Sequence, residues 1–241
     1  MSKPTRIKSI KELILHDDQD FFIINKPPFV STLEDRNDPV NILSLAREFH
    51  SDSQVCHRLD KETSGILILA KNEDAYKYFS SLFEQREINK LYHAIVEGKH
   101  EIEEKVIDKP IHSGSNRSRI DFQGGKPSIT MVSTIEIYKA HTLLACMPFT
   151  GRMHQIRVHL SDEGLPICGD DYYGGKYIFL SSVKRNFTIG KGKEETPLMH
   201  RTSLHAAGIS FPAPNGQNVK IKAPYPKDFQ VTLKQLEKNR F

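Results

Sequence analysis

The sequence predicts an α+β fold built on a large, mostly antiparallel mixed sheet. Short apolar or alternating runs recur along the 241 residues and outnumber the stretches with helical periodicity. One of them, Ile66–Ala70, is an unbroken apolar run that follows the dense polar segment His57–Gly65. Bounded by Gly65 and Lys71, it reads as a strand buried on both faces, or as a short buried helix, which periodicity alone does not separate from it. Neither an internal repeat nor a low-complexity block interrupts the pattern.

Taken in order, Glu12–Leu15 and Phe21–Ile24 flank an acidic turn and predict a hairpin, closed by Asn25-Lys26-Pro27-Pro28 because proline lends no donor to a ladder. Lys26 there faces a phosphate or is a solvated strand end. Residues 31–38 form a polar loop. Pro39–His50 predicts a helix with Asp38 as N-cap and Ile42, Leu43, Ala46 and Phe49 on its inner face. Asn72 caps a second helix over Glu73–Arg86. Lys90–Gly98 alternates as a strand that places Tyr92, Ala94 and Val96 on one face. Residues 108–127 read as turns and a basic hairpin carrying Arg117, Arg119 and Lys126, suited to phosphate contact or to plain solubility. Ile129–Tyr138 and Thr142–Met147 are further strands, and a helix is predicted from near Arg152, ended by Gly164-Leu165-Pro166. Residues 181–197 read as a mobile insertion, Leu204–Phe211 and Val219–Ala223 as late strands, and Asp228 as the cap of a C-terminal helix carrying Leu233 and Leu236.

Composition narrows the function. The chain is 38% hydrophobic and 27% charged, without an apolar run near the roughly 18 residues a membrane span needs, and its basic, polar start shows no secretory signal. Three widely separated cysteines argue for a reducing, cytoplasmic setting over a disulfide framework. A net charge of +4 is a mild excess, compatible with a polyanionic partner. There is no Gly-rich phosphate loop and no Cys-x-x-Cys, and His154 and His159 stand five apart where a helical zinc pair needs four. No metal site is expected.

What remains are two polar concentrations. One sets Asp60 between Arg58 and Lys61; the other, Thr150–Leu160, holds Arg152, His154, Gln155, Arg157 and His159, too many polar groups for a purely structural helix. A buried aspartate needs a cation partner, and an arginine from the second cluster would keep it ionised. Such an aspartate serves as nucleophile or general base, or forms an ion pair that only fixes the fold.

The segment His57-Arg58-Leu59-Asp60-Lys61-Glu62-Thr63-Ser64-Gly65, with its apolar run, closely resembles the signature of the RluA-type RNA pseudouridine synthases. Asn25–Pro28, Lys90–Gly98 and Thr150–Leu160 match the same family in order, as do Pro166–Asp170, Leu204–Ala206 and Lys222–Pro224. The likeness runs from about residue 12 to 229. It implies the pseudouridine synthase fold, with its sheet, flanking helices and loops around a central cleft, as one catalytic domain over 12–241. Residues 1–11 would be a tail, leaving no room for a separate N-terminal RNA-binding domain. It implies cofactor-free isomerisation of a uridine to pseudouridine in a stem-loop of ribosomal or transfer RNA, by a cytoplasmic monomer.

By the resemblance Asp60 is the catalytic aspartate, attacking the ribose or carbon 6 of the base. Arg157 pairs with it, and Tyr92 stacks on the base and abstracts a proton. Arg58 fills the gap left by the flipped uridine, since a stacked base cannot present its glycosidic bond to a carboxylate. His57, Lys26, Thr63, Arg152 and Gln155, within the matching motifs, are substrate-binding candidates, with Arg117 and Arg119 on the basic hairpin. One departure is Phe29, where the family often has glycine.

Overall fold

The structure, a computed structural model, describes residues 7, 9–34, 40–190, 192–213 and 216–240. They gather into two compact units, each made from two separate stretches of chain: residues up to Leu91 with His205–Tyr225, and Tyr92–Leu204 with residues from Pro226 onward.

The first unit opens with a 3-10 turn, Ile10–Leu13, whose Ser9 side chain accepts from the Lys11 N–H and which buries Ile10. This turn delays the first strand by two residues relative to the sequence expectation. β1 (Ile14–Asp17) and β2 (Phe21–Lys26) then form the expected antiparallel hairpin. Its turn is held by the Asp18 carboxylate, which accepts the Asp20 and Phe21 N–H groups, both at 2.9 Å. Helix α1 (Ile42–Phe49) begins later than expected: Asn41 is its N-cap, exchanging bonds with Ser44 in a capping box. Asp38 and Pro39, the sequence's choice for that start, lie outside the described residues.

β3 (Gln54–Val55) and β4 (Ser64–Ala70) follow, and β4 is buried at every position. The apolar run is therefore a strand, not a buried helix. Asn72 caps α2 (Glu73–Gln85) as its sequence predicts, its side chain accepting from Ala75 N–H at 2.8 Å. α2 lays Phe79 against Phe21, with ring centroids 5.0 Å apart in an edge-on arrangement.

β5 (Asn89–Glu97) carries the chain into the second unit at Tyr92. There β6 (Lys105–Asp108), β9 (Ile129–Ile137) and β10 (His141–Pro148) join it in the order β5-β10-β9-β6, antiparallel throughout. β7 (Ile111–Ser113) and β8 (Ser118–Ile120) form a separate two-stranded hairpin, within the segment expected to be one.

Helix α3 (Gln155–Asp162) buries Ile156 and Leu160 against Val96, Val132, Leu144 and Cys146. It starts three residues after Arg152, because His154 takes a left-handed backbone, φ 56°, that no helix continues through. α4 (Leu180–Val183) falls in the segment read as an insertion and buries Val183.

β11 (Leu204–Pro212) returns the chain to the first unit and β12 (Asn218–Lys222) pairs with it. β11 lies parallel to β4 at His205–Ser64 and Ala206–Gly65, and β2 lies antiparallel along the other edge of β4. That parallel pair, beside the antiparallel pairs of the first unit, makes its sheet mixed, in agreement with the expected α+β class. α5 (Lys227–Lys238) closes the second unit. Asp228 is not its cap: Pro226 holds that place, and the Asp228 carboxylate grips the fully buried Arg201 at 2.7 and 3.1 Å.

Candidate functional site

In the first unit the loop around Asp60 is fixed on every side. On its N-terminal flank, Cys56 N–H donates to Ile68 O (3.1 Å), and the Ile68 N–H donates to His57 Nε2 (3.1 Å). Leu59 is buried, with its carbonyl accepting from the Thr32 hydroxyl at 2.8 Å. On the other flank, the Lys61 carbonyl accepts from Phe29 N–H (2.8 Å) and from the Lys26 ammonium (3.2 Å). Thr63 N–H closes a turn onto Asp60 O at 3.0 Å. Behind the loop the chain enters β4 through Gly65, whose φ is 112° and whose Cα leaves no space for a side chain: a Cβ there would sit 2.2 Å from Ala206 O. Asp60 itself is half-buried and Arg58 is exposed.

Lys26 requires a correction. It neither faces a phosphate nor ends a strand in solvent. It is fully buried, and its ammonium donates to the carbonyls of Pro27 (3.0 Å), Val30 (2.9 Å) and Lys61. Three donors on three carbonyls offset the desolvation of the charge and lace the 27–30 turn to the residue after Asp60. Within that turn Phe29 has φ 66°, a left-handed backbone that favours glycine.

His57 packs its ring on Phe83, centroids 5.0 Å apart. Burial, and then the charge of Lys90, push its pKa down to about 3. The ring nitrogen Nε2 accepts from a backbone N–H and so carries no proton of its own. Lys90 is itself lowered to about 8 by burial. Thr63 is 2% exposed, and its hydroxyl has no hydrogen-bond partner among the described residues.

In the second unit, Tyr92 sits half-buried at the end of the Ala94–Val96 row and packs against that core. Arg157, on α3, is buried; its Nε and Nη2 donate to the two oxygens of Asp170 at 2.6 and 2.8 Å. Its guanidinium also lies 5.1 Å from the centre of the Tyr173 ring. Sequence reasoning missed both Asp170 and Tyr173. The available signal was the rule that a buried arginine needs an acidic partner, applied to the Asp170–Gly174 turn that follows α3. Arg152 is half-buried, with a buried Nε that has no partner among the described residues. Arg117 and Arg119 are exposed on the β7–β8 hairpin, Arg119 paired with Asp121 at 3.1 Å.

Gln155 is the second correction. Its amide donates to Ile129 O (2.9 Å) and Thr130 Oγ1 (3.0 Å) and accepts from Thr150 Oγ1 (2.7 Å) and Arg152 N (3.0 Å). At 4% exposure it is a clamp between α3, β9 and the 150–152 turn, with its donors and acceptors committed inside the protein. The neighbouring His159 extends the same network. Its Nε2 lies 2.9 Å from Lys109 O and must donate, so Nδ1 accepts from Thr130 Oγ1, also 2.9 Å away. Burial lowers the pKa of this ring and keeps it neutral.

Among the described residues no cluster of histidine, cysteine, aspartate or glutamate suits a metal ion, and no helix is long and apolar enough to cross a membrane.

Comparison with known proteins adds a family. A model described as RNA pseudouridylate synthase matches residues 20–162, a span that contains Asp60, Tyr92 and Arg157. The protein named ribosomal large subunit pseudouridine synthase C of Escherichia coli (strain K12) is 30% identical over 245 residues, covering 98% of this chain and 73% of that protein. Its namesake in Vibrio vulnificus (strain CMCP6) is 28% identical over 244 residues, covering 99% and 74%. The solved structure titled human RNA pseudouridylate synthase domain containing 4 aligns with a TM-score of 0.73 at 25% identity, over 95% of this chain and 94% of that one.

Proposed function

Because the chain belongs to the RNA pseudouridylate synthase family, we propose that it isomerises one or more uridines of ribosomal RNA to pseudouridine, with Asp60 as the nucleophile. The match over residues 20–162 carries this reading, since it includes the whole Asp60 loop. The curated relatives are named for the ribosomal large subunit, which favours ribosomal over transfer RNA as substrate.

The uridine flips out of its stack, and exposed Arg58 occupies the space it leaves. The Asp60 carboxylate attacks the ribose or carbon 6 of the base. Either way the bond from N1 to the ribose breaks, the base turns, carbon 5 bonds to the same ribose carbon and gives up its proton, and the bond formed to Asp60 breaks to return the free carboxylate. Tyr92 stacks on the base and takes that proton. Arg157 is the active-site arginine of this reading, its guanidinium held in place by Asp170. A stem-loop is the expected form of the target, bound by a cytoplasmic monomer without a cofactor.

The pinned backbone on both flanks of Asp60 supports the reading, because a nucleophile gains from a fixed approach. So do the unpartnered Thr63 hydroxyl and Arg152 Nε, each a buried polar atom that a substrate group would satisfy. The test is a map of pseudouridines in ribosomal and transfer RNA from cells with the wild-type protein, without it, and with Asp60→Asn. A site that disappears in both altered strains is expected in large-subunit ribosomal RNA. Pseudouridine formation by Asp60→Asn at the wild-type rate would end the nucleophile assignment.

A further inference from the structure

We propose that Tyr173 is a positioning residue, which supports the guanidinium of Arg157 on its ring and ties that arginine to the β7–β8 hairpin carrying Arg117 and Arg119. The proposal rests on the reading of Arg157 as an active-site arginine.

Tyr173 ends a 3-10 turn, Asp171–Tyr173, and is 5% exposed. Its ring meets two cations: Arg157 at 5.1 Å from the centroid and Arg117 at 5.2 Å. Asp170, which precedes that turn, holds Arg157 by two hydrogen bonds along one edge. One edge of the guanidinium and its place over the ring are therefore fixed by Asp170 and Tyr173, the cap and the end of one turn. A residue pinned twice in this way has little freedom to follow solvent or substrate.

The hydroxyl makes the second connection. It accepts from Ser118 N–H at 2.9 Å, lies 3.2 Å from Ser118 O and stands 3.0 Å from His154 Nδ1. Ser118 begins β8, is 1% exposed, and its own hydroxyl donates to Met153 O at 2.6 Å. Ile111 of β7 and Val158 of α3 are buried in one apolar cluster with Tyr173, and Ile120 of β8 packs against it. Ser161, also on α3, fixes the backbone by donating to Tyr173 O at 2.8 Å. Both strands of the hairpin thus touch the side chain on which Arg157 rests, beside direct contacts between β8 and α3. Displacing the hairpin means breaking the Ser118 bonds or tilting the ring on which Arg157 rests. A phenylalanine would keep the aromatic face and lose the Ser118 bonds; an aliphatic residue would lose both.

That difference supplies the experiment. Full-length wild type, Tyr173→Phe, Tyr173→Leu and Arg157→Lys are compared in thermal melts, in amide exchange, and in tritium release from 5-tritiated total RNA of cells lacking the protein. For Tyr173→Phe, exchange at the Ser118 amide is expected to accelerate about tenfold or more, and apparent KM to rise about fivefold with kcat within about twofold of wild type. For Tyr173→Leu, kcat is expected to fall about tenfold in addition. A purely structural tyrosine would lower the melting temperature of both variants and leave kcat and KM of the folded protein unchanged, and that result overturns the proposal. Identical kinetics in the two variants would also overturn it, by removing the role of the ring. Should Tyr173→Leu not fold, the expected split between KM and kcat in Tyr173→Phe still decides. Full kcat in Arg157→Lys would overturn the premise about that arginine, while Ser118 exchange reports the hairpin connection independently of it.

Discussion

The buried ammonium of Lys26 donates to the carbonyl of Lys61, the residue immediately after Asp60. A lysine contributed by one strand end thereby fixes the peptide that follows Asp60, the carboxylate proposed as nucleophile. Lys26→Met keeps most of the volume and removes the charge and its donors, taking this donor from the Pro27 and Val30 carbonyls and leaving the Lys61 carbonyl with only the Phe29 N–H. The expected loss is about 2–4 kcal/mol of folding stability in urea titration, from buried acceptors left unsatisfied. In the fraction that folds, kcat is expected to fall by more than KM rises. A variant as stable as wild type would show that the three bonds contribute little.

Phe29 reports on the same turn. Most residues lose stability on replacement by glycine more than by alanine, because glycine has more unfolded-state freedom to give up. At φ 66° the order reverses, since alanine retains a Cβ that disfavours the left-handed region by about 1–2 kcal/mol. Phe29→Gly is therefore expected to be more stable than Phe29→Ala by about 1 kcal/mol, although both lose the packing of the phenyl ring. Equal stability of the two would mean that the turn relaxes out of this backbone state.

Gln155 separates fold from function in the second unit. Gln155→Leu deletes four hydrogen bonds around the 150–152 turn and strands Arg152 N, while Ile129 O keeps the Phe149 N–H. About 2–3 kcal/mol of stability should be lost. Because the amide is committed to the protein, apparent KM for RNA should change less than about twofold in the folded variant, a limit set by the absence of any direct substrate contact to lose. A tenfold rise in KM without loss of stability would restore the substrate-binding role that sequence position implied.

How far the sequence carries is clear from these residues. The double burial of Ile66–Ala70, the Asn72 cap and the 111–120 hairpin are local patterns, and each forms nearly where its residues predict it. The roles of Lys26 and Gln155 are set by carbonyls 35 and 26 positions away, which no local pattern encodes. The late start of α3 has another cause: His154 takes a backbone state available to many polar residues and announced by none of its neighbours. Asp170 ends a stretch that matches the family, but its grip on Arg157 and the place of Tyr173 have no local signature, since a turn of aspartates, tyrosines and glycines looks like an ordinary exposed loop until Arg157 is seen against it.

His57 ties the stability of the Asp60 loop to pH. Its folded pKa, about 3, lies below its ordinary value of 6.5. Between those values the unfolded chain binds a proton that the folded ring refuses, so stability is complete above about pH 6.5 and is lost as pH falls toward 3. One such proton contributes a slope of about 1.4 kcal/mol per pH unit. Protonation would also turn Nε2 from the acceptor of the Ile68 N–H into a donor facing it, releasing the residue that leads into Arg58 and Asp60. Carboxylates titrate in the same range, so the comparison is with His57→Gln, whose side-chain oxygen can accept from Ile68 but takes up no proton. The difference in unfolding free energy between the two proteins, measured from pH 7 to pH 4, should narrow steadily as the wild type loses its advantage. A difference independent of pH would mean that the ring is neutral in neither state or in both.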